Sequence, residues 1–496
     1  MSIQYFVVIF GILIAKAVGF LRDIVFADRF GAAVSSDIYF GVFGVVSLLF
    51  TGIGMALSTL IIKNLNRPEL STDEERRGYV SEYMTRTFAA SAAGSVIMAV
   101  FARPMVSVLL PDLREDMIPT AVTVTRIMTP SLCFVCVAYV ISGVLQNNRR
   151  FFIPSIVSLP YNVVIIAQLL FSRPDIIAVS IATTAGWGLH VLFQLPSFYK
   201  LGYRMLKRPR KGGAFGAGEA AAIFASNMGF QLCFIIDRRF VSGSEGAVTT
   251  VNYASNLFIT VSSVFVVAMS SVIFPAISKN YAEKKLHYVR GLVGAMIVLM
   301  LAIFVPYLLT AAVFGHNIVS LLWERGEFTA EAARMTSASF LIYSLGVFGY
   351  IAQELFTKVL YLSSRYAETV VSAAVIVIVK LITGRIVYDL FGVFGVAAET
   401  AALLTLYAVY ISLRMRHVIG AYVTKSTLRD AGRVVLAGLA ALTVYVIMRA
   451  AAPGLCADRV RFILPLILCG AAYAAVIFAS GLYRSLFTDI KSRHET

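Results

Sequence analysis

The chain is short of charge, of histidine and of the motifs of familiar catalysts, and each shortage removes a class of function. Only 14% of its 496 residues are charged while 59% are hydrophobic. That is more apolar material than a soluble fold of this length can bury, so lipid has to act as solvent. Five scattered histidines do not amount to a metal cluster. There is no P-loop, no HExxH and no GxSxG in a strand-to-helix setting, which leaves ATP hydrolysis and the common hydrolase sites without support. Strand-period alternation is also missing, and the apolar runs are rich in Leu, Ala, Ile and Gly, which disfavours a membrane β-barrel. The five cysteines, Cys133, Cys136, Cys233, Cys456 and Cys469, fall mostly in or beside apolar spans and read as small buried hydrophobes. Cys133 and Cys136 form a CxxC by letter only, with no second Cys/His pair nearby. The run 3–15 has neither a basic leader nor a small-residue cleavage site, and is expected to be a first helix rather than a signal peptide.

What the chain does have is a series of apolar runs near twenty residues long, such as 292–314 and 462–482, the length that crosses a hydrocarbon core as helix. The expectation is an all-α integral membrane protein of about fourteen transmembrane helices, near 3–28, 35–62, 79–109, 117–145, 152–172, 175–199, 217–241, 247–276, 288–315, 331–361, 367–388, 392–413, 431–450 and 460–482. The net charge of +16 comes from 43 basic against 27 acidic residues, and the basic ones gather in alternate loops rather than in a nucleic-acid patch. Lys63 with Arg67, Arg76 and Arg77 comes first, then Arg149 with Arg150, then the cluster from Lys200 to Lys211, then Lys279, Lys284, Lys285 and Arg290. Arg365 follows, then Arg414, Arg416, Lys425 and Arg429, and at the end Arg484, Lys491 and Arg493. The positive-inside rule then places both termini in the cytoplasm and requires an even helix count.

The long basic loop 199–216 separates six spans from eight. It suggests an N-lobe over 1–199, a linker over 200–216, a C-lobe over 217–413 and a further segment over 414–496. An internal echo points the same way. Met105-Val-Ser-Val-Leu-Leu and Ile318-Val-Ser-Leu-Leu-Trp each precede an acidic loop and a long span, and Val144-Leu with Asn147-Asn-Arg-Arg-Phe parallels Val359-Leu with Ser363-Ser-Arg-Tyr. Two pseudo-symmetric lobes around a central cavity, rocking to give alternating access, are the expected arrangement.

Ionisable groups inside spans are expensive and mark function. The first helix holds Lys16, Arg22 and Asp23, with Gly19 between them allowing a bend that would turn Lys16 and Arg22 toward one cavity. Asp28, Arg29 and Asp37 follow at the next turn, where they serve equally well as interfacial groups. Asp237, Arg238 and Arg239 end the seventh span, and Glu354 and Lys358, four apart on the tenth, read as an intrahelical pair. Lys380 sits deep in a span and needs a carboxylate, for which Asp237 and Glu399 are the candidates. Glu69, Asp73, Glu74 and Glu75, mixed with Arg76 and Arg77, read as a solvated helix start.

Lys16-Ala-Val-Gly-Phe-Leu-Arg-Asp, followed by Phe30-Gly and Asp37-Ile-Tyr-Phe, resembles the first two helices of the MurJ/MviN lipid II flippases. In family order come Tyr253-Ala-Ser-Asn-Leu, Val272-Ile-Phe-Pro-Ala-Ile-Ser, Ile318-Val-Ser-Leu-Leu-Trp-Glu-Arg-Gly-Glu-Phe-Thr and Gly392-Val-Phe-Gly-Val-Ala-Ala-Glu-Thr, so the resemblance covers nearly the whole chain. It implies a bacterial inner-membrane flippase that carries an undecaprenyl-diphosphate-linked peptidoglycan precursor from the cytoplasmic to the periplasmic leaflet. Cavity cations would hold the diphosphate, and a groove formed within 414–496 would take the lipid tail. Lys16 and Arg22 match two cation positions, Lys16 standing where arginine is usual; Arg238 or Arg239 supplies a third, and Asp23 and Asp37 match acidic positions. There are departures: no arginine occurs at 48–51, and Ala254-Ser-Asn-Leu replaces the family's Ala-Asp-Arg-Leu. Some relatives bind sodium at positions matching Asp237, Val396 and Thr400, with Lys380 near an expected neutral ligand, so the Lys380 ammonium is expected to replace sodium as the partner of Asp237. The resemblance implies no cofactor beyond a coupling cation, Na+ or H+, or the membrane potential. The partners it implies are the lipid-linked glycan, membrane lipids and the cell-wall synthesis machinery, with no nucleic acid. Rival readings are an exporter of another polyprenyl-linked oligosaccharide, a cation-coupled drug antiporter, a lipid-modifying enzyme or an envelope scaffold. The antiporter should prefer an acidic cavity, against which Lys16 and Arg22 speak.

Overall fold

A computed structural model describes residues 3–66, 70, 72–204, 217–363 and 366–483, and helices are its only regular elements among them. Each of the fourteen expected stretches contains helix. By length and composition seven of these helices are able to cross a membrane, or nine if each of two bent pairs is one span. The contacts divide the chain into two compact units, Met1–Thr249 with Arg325–Thr329, and Thr250–Glu324 with Ala330–Thr496.

The first unit starts with α1 (Ile3–Phe30), an unbroken helix. α2 (Val34–Gly44) passes through a π-helical turn, Val45–Phe50, into α3 (Thr51–Leu65); such turns are frequent at functional sites. α4 (Asp73–Val100) opens with a capping box, Thr72 accepting from the Glu75 amide at 3.2 Å and the Glu75 carboxylate accepting from the Thr72 amide at 3.0 Å. Asp73, Glu74 and Glu75 in its first turn favour the positive end of the helix dipole, so this acidic run is a helix start. α4 and α5 (Ala102–Leu109) fall in the single expected span 79–109 and bend by 75° at Phe101. α6 (Ile118–Met128) and α7 (Ser131–Asn147) together make one span. α8 (Phe152–Ser155), α9 (Ser158–Phe171), α10 (Ile176–Lys200) and α11 (Ala217–Phe240) complete the unit. α1 packs on α9, α3 on α7, and α10 on α6, α7 and α9. α11, expected to open the second lobe, packs on α2, α3 and α5 and belongs to this first unit. Of the basic linker, residues 205–216 lie outside the described residues, as do Arg67, Arg365 and the basic residues after 483.

α12 (Ala247–Ala282) starts in the first unit and enters the second at Thr250, where it meets α13 (Leu286–Trp323) through stacked Tyr253 and Trp323 rings, centroids 4.8 Å apart. α14 (Ala330–Leu345) and α15 (Val347–Leu362) bend by 45° at Gly346. Lys358 of α15 donates to Ser270 Oγ at 3.0 Å, so it ties α15 to α12 as well as lying one turn from Glu354. α16 (Tyr366–Ile419) holds 54 residues. At about 1.5 Å rise per residue it is far longer than a hydrocarbon core of about 30 Å. It breaks at Gly392, with φ 61° and ψ −149°, a conformation open essentially to glycine alone. That break falls where the spans 367–388 and 392–413 were expected to part. α17 (Lys425–Ala451), α18 (Pro453–Ala457) and α19 (Ile463–Ala479) close the chain, and α13, α17 and α19 share an apolar core around Val298, Val434 and Ala437. Tyr473 of α19 pins this bundle by donating to the Ala302 carbonyl at 2.8 Å.

The echoed segments occupy matching places in the chain. Residues 105–110 lie at the end of α5, ahead of α6 and α7, and residues 318–323 at the end of α13, ahead of α14 and α15.

Candidate functional site

The Arg22 charge of α1 is held among aromatic residues of two other helices, α2 and α9. The Arg22 guanidinium bonds Asp23 Oδ1 through Nε at 3.0 Å and through Nη2 at 2.7 Å, and its Nη1 reaches the Tyr161 hydroxyl at 3.5 Å. It lies over two rings, 5.6 Å from the Phe43 centroid and 5.7 Å from that of Tyr161, where the ring quadrupoles attract a cation. Phe43 stacks on Tyr39 one helical turn earlier at 5.4 Å, and the Tyr39 hydroxyl shares a 2.9 Å hydrogen bond with Thr183 of α10. Arg22 is thus fixed in orientation, yet 14% of its side chain stays accessible, which is the condition for a cation that meets an anionic ligand rather than serving as filler.

A second guanidinium arrives at the same turn of α2. Arg238, at the end of α11, is buried, and its Nη1 lies where a Cβ on Gly44 would collide with it. Arg22 lies over Phe43 and Arg238 lies against Gly44, so guanidinium groups from α1 and α11 contact adjacent residues of α2 immediately ahead of the π-helical turn. The missing side chain at position 44 is what lets α11 come this close. Arg239 is half-buried, and of the two arginines left open by the sequence Arg238 is the one that lies against Gly44.

Other expected residues behave differently. α1 does not break at Gly19, and on a continuous helix residues six apart point about 120° away from each other, so Lys16 does not join Arg22; it is half-buried on another face. Gly19 instead faces Asn162 of α9, which lies 3.8 Å from where a Cβ would be. Asp37 is expected as a substrate contact, but its carboxylate is taken up by protein donors. Oδ2 accepts from the Gly246 amide at 2.7 Å, and Oδ1 accepts from the Thr249 amide at 2.8 Å and the Thr249 hydroxyl at 2.6 Å. Asp37 therefore caps the start of α12 from α2, satisfying amides that a helix N-terminus leaves open. Arg29 is an anchor, donating to the carbonyls of Leu169 and Ser172 at 3.0 and 2.8 Å.

The second unit carries a buried charge of its own. Lys380 Nζ bonds Glu399 Oε2 at 2.8 Å and the Val396 carbonyl at 3.0 Å, with the lysine side chain 0% and the glutamate 8% exposed. Glu399 also accepts from the Thr383 hydroxyl. Of the two candidate carboxylates Glu399 lies on Lys380 within the second unit, and Asp237 is buried at the end of α11. Val396, one of the positions matched to an ion ligand, gives its carbonyl to the ammonium, and Thr400 is buried one residue after Glu399. Between α13, α17 and α19 an apolar cavity of about 60 Å³ is lined by Leu309, Val313, Leu442, Leu466 and Gly470 among others.

Sequence reasoning singled out Arg22, Asp23 and Lys380 through the cost of charge in a span. It missed the aromatic frame, although Tyr39 and Phe43, four apart on one helix, were a readable pair.

The family model described as Lipid II flippase MurJ matches residues 26–460. The lipid II flippase MurJ of Burkholderia cenocepacia is 26% identical over 426 residues, covering 82% of each chain. Among solved structures, a lipid II flippase MurJ in an inward closed conformation superposes with a TM-score of 0.78 at 18% identity, over 97% of this chain and 99% of that one. An inward-facing multidrug resistance MATE family transporter superposes with a TM-score of 0.66 at 12% identity, over 85% and 96%; at these identities the superpositions speak for the fold. With the family model spanning most of the residues, the chain belongs to the MurJ lipid II flippase family.

Proposed function

We propose that the protein carries a polyprenyl-diphosphate-linked peptidoglycan precursor, lipid II, from the cytoplasmic to the periplasmic leaflet of a bacterial inner membrane by alternating access. The observation that carries this reading is that guanidinium groups of two other helices, Arg22 and Arg238, contact the adjacent residues Phe43 and Gly44 of α2. A diphosphate in a low-dielectric span needs paired, forked cations, and guanidinium groups supply two parallel donors each. Arg22 is bound to Asp23 in this structure, so the anion competes with a neighbouring carboxylate. That competition keeps the site from trapping its load, since carriage requires release as well as capture.

The apolar cavity between α13, α17 and α19 matches a polyprenyl chain in chemistry, and its volume of about 60 Å³ takes only a short part of one. Basic residues such as Arg149, Arg150, Lys284 and Lys285 in alternate loops support an orientation with both termini in the cytoplasm. Lys380, held by Glu399 and the Val396 carbonyl, supports a second element of the reading: a fixed internal ammonium stands where an exchangeable cation would bind, and transport by this protein does not require sodium. In Lys380→Asn a sodium dependence should appear; an unchanged sodium response in that variant opposes the replacement.

Conditional depletion in the protein's own cells tests the main reading. Lipid-linked peptidoglycan precursor should accumulate at the cytoplasmic face, and wild-type protein should relieve it while Arg22→Ala does not. Depletion without accumulation would transfer the reading to another polyprenyl-linked glycan.

A further inference from the structure

The rings that hold Arg22 are themselves held, and both from one helix. Tyr161 follows Pro160 in the first turn of α9, where a proline costs no helical hydrogen bond. Its side chain is buried and packs on α10. A Cβ on Gly186 would lie 2.8 Å from Tyr161 Cδ2 and 3.3 Å from its Cα, so the bare backbone at 186 is what admits the ring. Trp187 lies next to it with centroids 5.0 Å apart, and His190 stacks on it at 6.2 Å. One turn before Trp187, Thr183 shares a 2.9 Å hydrogen bond with the Tyr39 hydroxyl, and Tyr39 stacks on Phe43. Residues 183, 186, 187 and 190 share one face of a helix, so a single face of α10 backs both aromatic contacts of Arg22.

The two edges of the guanidinium are engaged differently. Nε and Nη2 both donate to Asp23 Oδ1, at 3.0 and 2.7 Å, whereas Nη1 reaches the Tyr161 hydroxyl at 3.5 Å. The Nε and Nη2 edge is the one an incoming phosphate competes for, because two parallel donors there suit a bidentate anion. When the carboxylate gives way, a long side chain with much rotamer freedom would lose its direction. The Tyr161 ring, 5.7 Å from the guanidinium carbon, attracts the cation whichever anion holds the other edge. Being neutral, it does so without competing with the phosphate for charge.

We propose that Tyr161 is the positioning residue of Arg22: chiefly through its ring, it keeps the guanidinium aimed while the Asp23 carboxylate is exchanged for phosphate oxygens of the substrate. Tyr161 acts through Arg22 and needs no contact with the substrate. The inference rests on the flippase reading, since it takes Arg22 as a ligand of the diphosphate.

The test uses the full-length protein in nanodiscs, titrated with a polyprenyl diphosphate and with the uncharged polyprenol of the same length. Tyr161→Leu should bind the diphosphate about tenfold more weakly, the loss of a desolvated cation–ring contact. Tyr161→Phe restores the ring and should stay within about threefold of wild type. Neither should alter polyprenol binding, which a general fault in folding would. In an Arg22→Ala background, itself weak for the diphosphate, Tyr161→Leu should cost nothing more. Gly186→Ala moves the ring without removing it and should also weaken diphosphate binding alone, which keeps the test decisive if Tyr161→Leu does not fold. Wild-type affinity in Tyr161→Leu beside a weak Arg22→Ala overturns the positioning role and leaves the flippase reading standing. A further loss from Tyr161→Leu in the Arg22→Ala background overturns it as well, because Tyr161 then acts by a route other than Arg22. So does a Tyr161→Phe protein as weak as Tyr161→Leu. Wild-type affinity in Arg22→Ala removes the cation site from the flippase reading, and this inference with it.

Discussion

Lys380 and Glu399 form a buried ion pair inside the second unit, 2.8 Å between Nζ and Oε2, and the ammonium, fully shielded, also donates to the Val396 carbonyl. Two charges taken out of water together contribute little net stability, whereas one left alone is strongly destabilising. Lys380→Met should therefore destabilise the protein by about 3–5 kcal/mol, and adding Glu399→Gln should recover most of that loss. Thermal unfolding of the purified variants in one detergent measures both. Equal destabilisation by the single and double variants would mean that the pair does not act as a unit.

Asp37 is a prediction about architecture rather than substrate. Its carboxylate receives three hydrogen bonds from Gly246 and Thr249. Asp37→Ala should cost about 2–4 kcal/mol, because bonds to a charged acceptor are among the stronger ones. The folded fraction should still bind lipid-linked substrate with wild-type affinity. A folded, stable Asp37→Ala protein that fails to bind would place the carboxylate back among the substrate contacts.

Gly44 and Arg238 should be coupled. A methyl group at position 44 meets Arg238 Nη1, so Gly44→Ala displaces the guanidinium at about 1–3 kcal/mol of overpacking. In an Arg238→Ala background the same change should be almost neutral, a non-additivity that a double-mutant cycle on unfolding free energy reads directly. Additive effects would show that Gly44 matters through the helix backbone alone.

The π-helical turn was invisible in the sequence, since nothing in the local pattern of Val45–Phe50 departs from an apolar helix. The bend at Phe101 had a readable signal in Arg103 and Pro104, because a proline has no amide for the preceding turn and clashes with the carbonyl four residues back. The division at Gly392 was legible, since the apolar pattern pauses there and glycine alone takes that backbone conformation. The acidic start of α4 was legible for the same kind of reason: Thr72 and Glu75 stand three apart, the spacing a capping box requires. Lys380 announced its need for a carboxylate, and Glu399 answers it from nineteen residues away. Asp37 could not announce its partners, which lie more than two hundred residues down the chain.

Arg22 separates charge from geometry. Arg22→Lys keeps a cation but loses the fork that bonds Asp23 twice and the planar face that covers Phe43 and Tyr161. It should bind the lipid-linked diphosphate about tenfold more weakly, the equivalent of about 1.4 kcal/mol, and Arg22→Ala more weakly still. Similar affinity in Arg22→Lys and wild type would show that the site reads charge alone.

The most direct test of the central claim is transport by the purified protein in liposomes holding fluorescent lipid II, with the outer-leaflet fraction read by an impermeant quencher. Wild-type protein should move lipid II between leaflets, and Arg22→Ala, folded and inserted to the same extent, should leave its distribution as in protein-free liposomes. Transport by Arg22→Ala at the wild-type rate would contradict the role given to the cations at Phe43 and Gly44.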